Sequence, residues 1–506
     1  MADYPEVPAI GTQMSRLAAE SPQTPAVSHG DRTLTRGELD SLTNRLARAY
    51  AGLGVRQGDY VTIALPNSIE WVAATVATWK LGAIPQPLSA RLPDHEYIGL
   101  LQLRERALLV GRPDPRGIVP SVPGDFDPGP EISDDPLPEA VSPALKSMAS
   151  GGSTGRPKLI EAGTDGRYLG GVVAAMMGNL PTDTQLISVP LSHNTGFTSA
   201  TTALATGQHL VLMSRFDPET FLRLIGEHRV NYLATVPTIM QRLLPVYRAD
   251  PDAYDLSSVH RWWHLAAPCP PNIKEAWIEI LGPATVWELY GGTELQALTF
   301  ISGTEWLTHR GSVGRVVAGE MKVLDDDGAE CPPGEVGEIY MRPRPGSRPT
   351  YRYIGSTAKH RDGWDSLGDL GWFDEEGYLY LADRRVDMFT VGGRNVYPAE
   401  IENALAEHPA VLSCLVVGVP HDDLGQVPHA LVHTAAEHGL DPRGVAAFVA
   451  ERLADYKVPR SVEFVDTPLR DDAGKARRTA VRDEVIARLE SMARDAIARP
   501  PVQDRQ

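Results

Sequence analysis

The chain has 506 residues, 42% hydrophobic and 22% charged, an ordinary soluble composition at a length that exceeds one core, so two or three domains are expected. A net charge of −17 excludes a nucleic-acid or anionic-membrane partner, since either needs a basic surface, and leaves room for a local basic pocket. Met1–Glu6 carries neither a basic region nor an apolar core, and no run of about 18 apolar residues occurs, so cytoplasmic residence is expected.

In chain order, Leu34 to Leu53 has apolar residues at helical spacing, with Thr35 a cap ahead of Glu38. Val61 to Leu65 reads as a buried strand and Ser68 to Leu81 as a helix. Pro113 to Pro143, dense in proline, glycine and acidic residues, reads as an irregular connector. A helix and then a strand follow within Pro218 to Thr235, and this alternation predicts α/β layers. Texture changes near Arg385: a helix over Ala399–Ala406, a strand over Val411–Val419, a helix over Arg443–Leu453 and a charged helix from Thr479 form a self-contained unit, ending in a frayed tail. Cys269, Cys331 and Cys414 make neither a disulfide framework nor a paired metal site, and the fourteen histidines show no ligand-like spacing.

The stretch Ser150-Gly151-Gly152-Ser153-Thr154-Gly155-Arg156-Pro157-Lys158 combines glycines, hydroxyls and a lysine, a composition that turns successive N–H groups toward one anion. It lacks the Walker spacing, and alone it also suits a Gly/Ser surface loop. Downstream lie Tyr290-Gly-Gly-Thr-Glu294, Ser366-Leu-Gly-Asp369-Leu-Gly, Asp383-Arg384-Arg385-Val386-Asp387, Val391-Gly392-Gly393-Arg394, and Ala473-Gly474-Lys475. Together these motifs resemble the adenylate-forming superfamily of acyl-CoA synthetases, adenylation domains and luciferases over nearly the whole chain. The loop and the run Trp263-His-Leu-Ala-Ala-Pro-Cys-Pro270 are most similar to bacterial ligases for bile acids and related bulky carboxylic acids.

The resemblance implies an α/β fold: a large N-terminal domain of layered sheets and helices, residues 1–385, and a small mobile C-terminal α+β domain, residues 386–506. It implies an acyl-CoA ligase using ATP, Mg²⁺ and coenzyme A, in which a bulky apolar acid, steroid-, bile-acid- or terpenoid-like, becomes an acyl-adenylate and then a thioester. Ser150, Gly151, Gly152, Ser153, Thr154, Gly155 and Lys158 would hold the β- and γ-phosphates. Glu294 would ligate Mg²⁺, or be a solvated turn carboxylate; Thr293 would bond the α-phosphate and Tyr290 stack on adenine. Asp369 can accept from two vicinal ribose hydroxyls, or simply form a turn, and Arg384 would be the second ribose contact or a surface ion pair. Lys475 would be the catalytic cation of adenylation, a role resting on the resemblance because Lys475, Arg477 and Arg478 alone read as a basic face. His193 would gate the carboxylate, or be a core or capping histidine. Gly392 and Gly393 would border the coenzyme A channel, or serve a tight turn, and Arg385 and Val386 form the hinge.

Departures from the family pattern in the phosphate loop and at Val386 keep two other readings: a half-enzyme accepting acyl-adenylate from a partner adenylating enzyme, and a catalytically silent nucleotide-binding protein. A homodimer is compatible with each.

Overall fold

The computed structural model describes residues 7–150, 157–167, 170–434, 439–470 and 474–498. Local sequence sets the first elements. The Thr35 hydroxyl accepts from the Glu38 amide while the Glu38 carboxylate accepts from the Thr35 amide, a reciprocal cap that starts the helix Arg36–Gly52. Leu34, expected in that helix, lies in the strand Arg32–Thr35, because the capping residue must stay extended. Ser68 likewise caps Ile69–Lys80, accepting from the Trp71 amide. That helix is buried at every position but Glu70, and its terminal Lys80 ammonium is held 2.6 Å from Asp40 and 2.7 Å from Asn44.

The largest sheet joins fourteen strands among the described residues. At its centre His209–Leu212, Thr184–Ile187, Tyr232–Thr235, Arg261–Leu265 and Val286–Tyr290 lie parallel in that order. The first four are almost wholly buried, while Val286–Tyr290, next to the antiparallel part of the sheet, is only partly so. Pairing turns antiparallel at Leu298–Ser302 and continues through Ser312–Ala318, Leu379–Arg384 and Trp364–Phe373. Ser312–Ala318 divides its length: its first residues pair with Leu379–Arg384 and its later ones with Leu298–Ser302. A second, parallel sheet centres on Tyr60–Ala64. A third joins Ser147–Ser150, Lys158–Ala162 and Tyr351–Ile354. Between them the Pro113–Pro143 connector contributes one short strand, Ser121–Val122, in keeping with its composition.

Residues 389–465 build a five-stranded sheet of their own. It covers an apolar core of Phe389, Val396, Ile401, Val416, Val432 and Val449, separate from the large core that runs from Ile10 to Tyr378. The predicted strand from Val411 extends to His421, and the helix expected to reach Leu453 stops at Ala450, where the Leu453 amide bonds back to the Val449 carbonyl in a closing turn. Among the described residues no helix is long and apolar enough to cross a membrane.

One buried ion pair braces the central sheet beneath its carboxyl edge. Lys274, on the helix Pro271–Leu281, lies 2.6 Å from Glu288 on the strand that ends in Tyr290, and its ammonium faces the Trp306 ring at 4.8 Å. Both side chains are buried, so removing one strands the other's charge. Lys274→Met is expected to destabilise the fold by about 3–5 kcal/mol. Adding Glu288→Leu should recover most of that loss, as read by urea unfolding; no recovery would show that the pair is not the source.

Candidate active site

Parallel strands present their carboxyl ends at one edge, and a crevice opens where successive connections leave in opposite directions. Thr184–Ile187 is that strand: the next strand in sequence, His209–Leu212, lies on one side of it and Tyr232–Thr235 on the other. The chain leaving it carries His193, at the N-cap position of the helix Asn194–Thr206. His193 makes no side-chain cap bond, so the capping alternative is set aside. Phe197, one turn on, packs edge-on between Trp71 and Trp79, which makes this stretch a buried core helix. Behind His193 the buried Lys146 bonds Asn194 and reaches Thr198 at 3.2 Å, and burial pushes its amine down to about 7. Lys146 thereby links the strand entering the glycine-rich loop to the helix behind His193.

Of that loop, Gly151, Gly152, Ser153, Thr154 and Gly155 lie outside the described residues, and for Ser150 only the backbone, closing the strand Ser147–Ser150, is described. Lys158 opens the return strand, and its ammonium sits 4.1 Å from the centre of the Tyr353 ring on the neighbouring strand Tyr351–Ile354. Burial lowers the Lys158 amine, an effect opposed by the Glu294 carboxylate and reinforced by Arg384. Lys158, Glu294 and Arg384 thus share one electrostatic neighbourhood.

Glu294 is turned inward. The Leu295 amide closes the turn on the Gly292 carbonyl at 3.1 Å, and Leu295, a non-glycine residue at φ +52°, takes the left-handed conformation that reverses the chain. Glu294 is consequently buried at 6% exposure, and the Tyr353 hydroxyl donates to its Oε1 at 2.5 Å. The glycines before it are set by close approach: a Cβ on Gly291 would meet the Ala297 carbonyl oxygen at 3.0 Å, and one on Gly292 would meet Leu367 at 2.4 Å and Glu294 Oε2 at 2.6 Å. Thr293 lies half-buried in the same turn.

Tyr290, Asp369 and Arg384 form a second group. The Tyr290 hydroxyl donates to Asp369 Oδ2 at 2.8 Å, and Arg384 Nε donates to Oδ1 at 3.2 Å. Asp369 and Arg384 are direct partners across adjacent strands. Asp369 stands four strand steps from Tyr290, about 19 Å in a flat sheet. Hydrogen-bond contact therefore requires the sheet to fold over, which the divided pairing of Ser312–Ala318 permits. Burial and the Asp369 charge raise the Tyr290 phenol well above its usual range, and Asp369 raises Arg384. Tyr290 is a neutral donor here, and its ring edge is tied to the carboxylate predicted to face ribose.

The second unit reaches this edge through the Lys475 loop and through Ala406, whose carbonyl accepts from the Asn272 amide at 3.2 Å. Gly474 is buried against the Val236 and Thr238 side chains, 3.4 and 3.6 Å from where a Cβ would stand, at the carboxyl end of Tyr232–Thr235 and so beside the switch-point crevice. It adopts φ +76°, and Lys475 beside it is exposed. Arg477 pairs with Glu96, on the helix Asp94–Gln102, at 2.9 Å. Of the two residues expected to form the hinge, Arg385 reaches Asp326 at 2.5 Å and Glu338 at 3.3 Å, and Val386 is exposed. Gly392 and Gly393 are not drawn to the nucleotide-side groups. At φ +54° and +79° they form the two-residue turn of the hairpin Phe389–Val391/Arg394–Val396, the conformation such turns require. The tight-turn alternative accounts for both glycines in this arrangement.

Sequence reasoning missed Tyr353, Lys146 and Glu96. Alternation in Tyr351-Arg352-Tyr353 marks a strand, but its pairing with Lys158–Ala162 spans almost two hundred residues, and no local signal reports that.

A layered α/β body with a switch-point crevice, a glycine-turn carboxylate and a separate small sheet lending a lysine loop defines the adenylate-forming class. Residues 14–351 match the AMP-binding enzyme family and residues 400–475 its C-terminal domain. A feruloyl-CoA synthase of Amycolatopsis sp is 33% identical over 494 residues, covering 94% of this chain and 98% of that protein. The 3-[(3aS,4S,7aS)-7a-methyl-1,5-dioxo-octahydro-1H-inden-4-yl]propanoyl:CoA ligase of Mycobacterium tuberculosis is 32% identical over 523 residues, covering 95% and 99%. O-succinylbenzoate coenzyme A synthetase from Bacillus subtilis, solved in complex with ATP and magnesium ion, shares the fold with a TM-score of 0.79 at 28% identity, covering 92% of this chain and 98% of that one. The chain belongs to the AMP-binding enzymes and is an AMP-forming acyl-CoA synthetase, an acid–thiol ligase. Such ligases use ATP, Mg²⁺ and coenzyme A. The donor set fits Mg²⁺: Glu294 is a buried hard-oxygen donor oriented by Tyr353, and Mg²⁺ typically takes one or two carboxylates, as Glu294 would be, together with nucleotide phosphates.

Tyr353→Phe removes the hydroxyl that orients Glu294 while keeping the ring over Lys158. ATP/pyrophosphate exchange is expected to fall roughly 10- to 100-fold, the usual cost of losing a ligand's supporting hydrogen bond, with an unchanged melting temperature. Asp369→Asn should raise the KM for ATP more than it lowers kcat, because Asp369 orders Tyr290 and Arg384 away from the reacting bond; a pure kcat effect would count against that division.

Proposed function

We propose that this ligase activates a bulky apolar carboxylic acid, steroid-, bile-acid- or terpenoid-like, through both half-reactions. The Mycobacterium tuberculosis relative, whose named substrate is a methylated bicyclic propanoyl acid, supports that size class. The reading places the enzyme in the cytoplasm, where ATP and coenzyme A are supplied. It puts the domain boundary at Arg385/Val386, supported by separate cores on either side.

One observation carries the chemistry: Lys158 and Glu294 meet at Tyr353, Asp369 and Arg384 meet Tyr290 at the end of one parallel strand, and Gly474 lodges at the end of another. In the first step a carboxylate oxygen of the acid bonds to the α-phosphorus of ATP as the bond to the pyrophosphate oxygen breaks. Anion meets anion, so charge stabilisation dominates the barrier. In this reading Lys158 and the glycine-rich loop bind the β- and γ-phosphates, and Thr293 and Lys475 meet the charge developing at the α-phosphate. Glu294 would hold Mg²⁺, which would supply charge neutralisation for the departing pyrophosphate. Tyr290 packs on adenine, Asp369 and Arg384 hold ribose, and His193 gates the acid at the switch-point crevice. In the second step the thiol of coenzyme A loses its proton to solvent, sulfur bonds to the acyl carbon, and the carbon–oxygen bond to AMP breaks. Rotation about Arg385 and Val386 withdraws Lys475 and brings Gly392 and Gly393 to the thiol's path.

The test is exchange and product mass over fatty, aromatic, bile-acid-like and terpenoid acids, with and without coenzyme A. Exchange plus thioester on the polycyclic acids is expected. Thioester from synthetic acyl-adenylate without exchange would identify the half-enzyme instead. Lys475→Ala should lower exchange roughly 100- to 1000-fold while leaving thioester formation from acyl-adenylate nearly intact. Glu294→Gln should raise the Mg²⁺ concentration needed for half-maximal exchange.

A further inference from the structure

Both sides of the Lys475 loop are gripped by one buried carboxylate. Glu402, on the helix Pro398–Ala406, accepts from Arg470 at 2.7 Å and from Arg478 at 2.5 and 3.2 Å, and its Oε1 also accepts from the Val416 amide at 2.8 Å. Arg470 precedes the loop and also reaches the Gly474 carbonyl at 3.4 Å; Arg478 follows it and starts the helix Arg478–Ala498. Arg478 extends the network to Asp387 at 3.3 Å, the residue directly after Val386. Burial alone would raise the Glu402 carboxyl, but Arg478 and Arg470 hold it below its usual range.

We propose that Glu402, Arg470, Arg478 and Asp387 form a clamp that fixes the span of the Lys475 loop and locks it to the start of the small unit, so that loop and hinge turn as one body. These are positioning residues: none touches the reacting atoms, and each acts through the placement of Lys475. The inference rests on Lys475 being the cation of adenylation. Its energetic logic is that of preorganisation, where a misplacement near 1 Å costs on the order of 100-fold in rate.

Arg470→Met is the variant of choice, because it opens one side of the clamp and leaves Glu402 paired with Arg478. Exchange kcat should fall on the order of 10- to 100-fold with the KM for ATP unchanged, thioester formation from synthetic acyl-adenylate should stay within about twofold, and Arg470→Lys should restore part of the loss. Combined with Lys475→Ala, Arg470→Met should add nothing, since residues acting as a unit are non-additive. Unchanged exchange, an equal loss in both half-reactions, or a loss additive with Lys475→Ala would overturn the clamp. If Lys475→Ala itself leaves exchange intact, the reading of Lys475 falls first, and that result is distinguishable from a failed clamp. Asp387→Asn, at the hinge end, gives a second check through the same split should Arg470→Met lower the melting temperature sharply.

Discussion

Parallel pairing puts the carboxyl ends of neighbouring strands at one edge, and this constraint assembles the site. From it follow the positions of His193, of Val236 and Thr238, and of Tyr290, each at or just beyond the end of a parallel strand. The reversal to antiparallel pairing after Tyr290 supplies the opposite wall, because only an antiparallel extension sets Asp369 directly beside Arg384 on strands that return toward the same edge. The divided strand Ser312–Ala318 folds that wall back until Tyr290 and Asp369 touch. The turn between the two regimes must be tight, which is why Gly291 and Gly292 precede the inward Glu294.

What the sequence made legible were the groups whose surroundings are local. The Thr35–Glu38 cap, the helix opening at Ser68 and the glycine turn at Glu294 are written within a few residues. Asp369 and Arg384 were separately visible as motifs, but their pairing depends on strand register across a hairpin. Tyr353 was invisible because its two partners, Lys158 on a strand and Glu294 in a turn, are brought to it only by tertiary folding. Arg478 was visible as one of a basic group after Gly474, and its local reading was a solvated face; burial against Glu402, more than seventy residues away, changes its meaning.

The energetics of the small unit differ sharply between its outside and its inside. Its outer tie, Arg477 to Glu96, is a largely exposed pair, worth roughly 0.2–1 kcal/mol and weakened by salt. Its inner tie is a buried carboxylate shared by two guanidiniums, where removing one partner costs several kcal/mol. A two-step ligase of the kind proposed needs that ordering. The lysine loop must leave the large domain between steps at little cost, yet return without searching for its shape. Charge balance serves the same end. Arg470 and Arg478 are matched by Glu402 and Asp387, so the clamp itself carries little net charge. The nearby Asp383 is bonded to the Ala399 amide and pushed up to about 6 by burial. A loop that meets polyphosphate benefits from a base that neither competes for the anion nor cancels the lysine's field, and the clamp provides both.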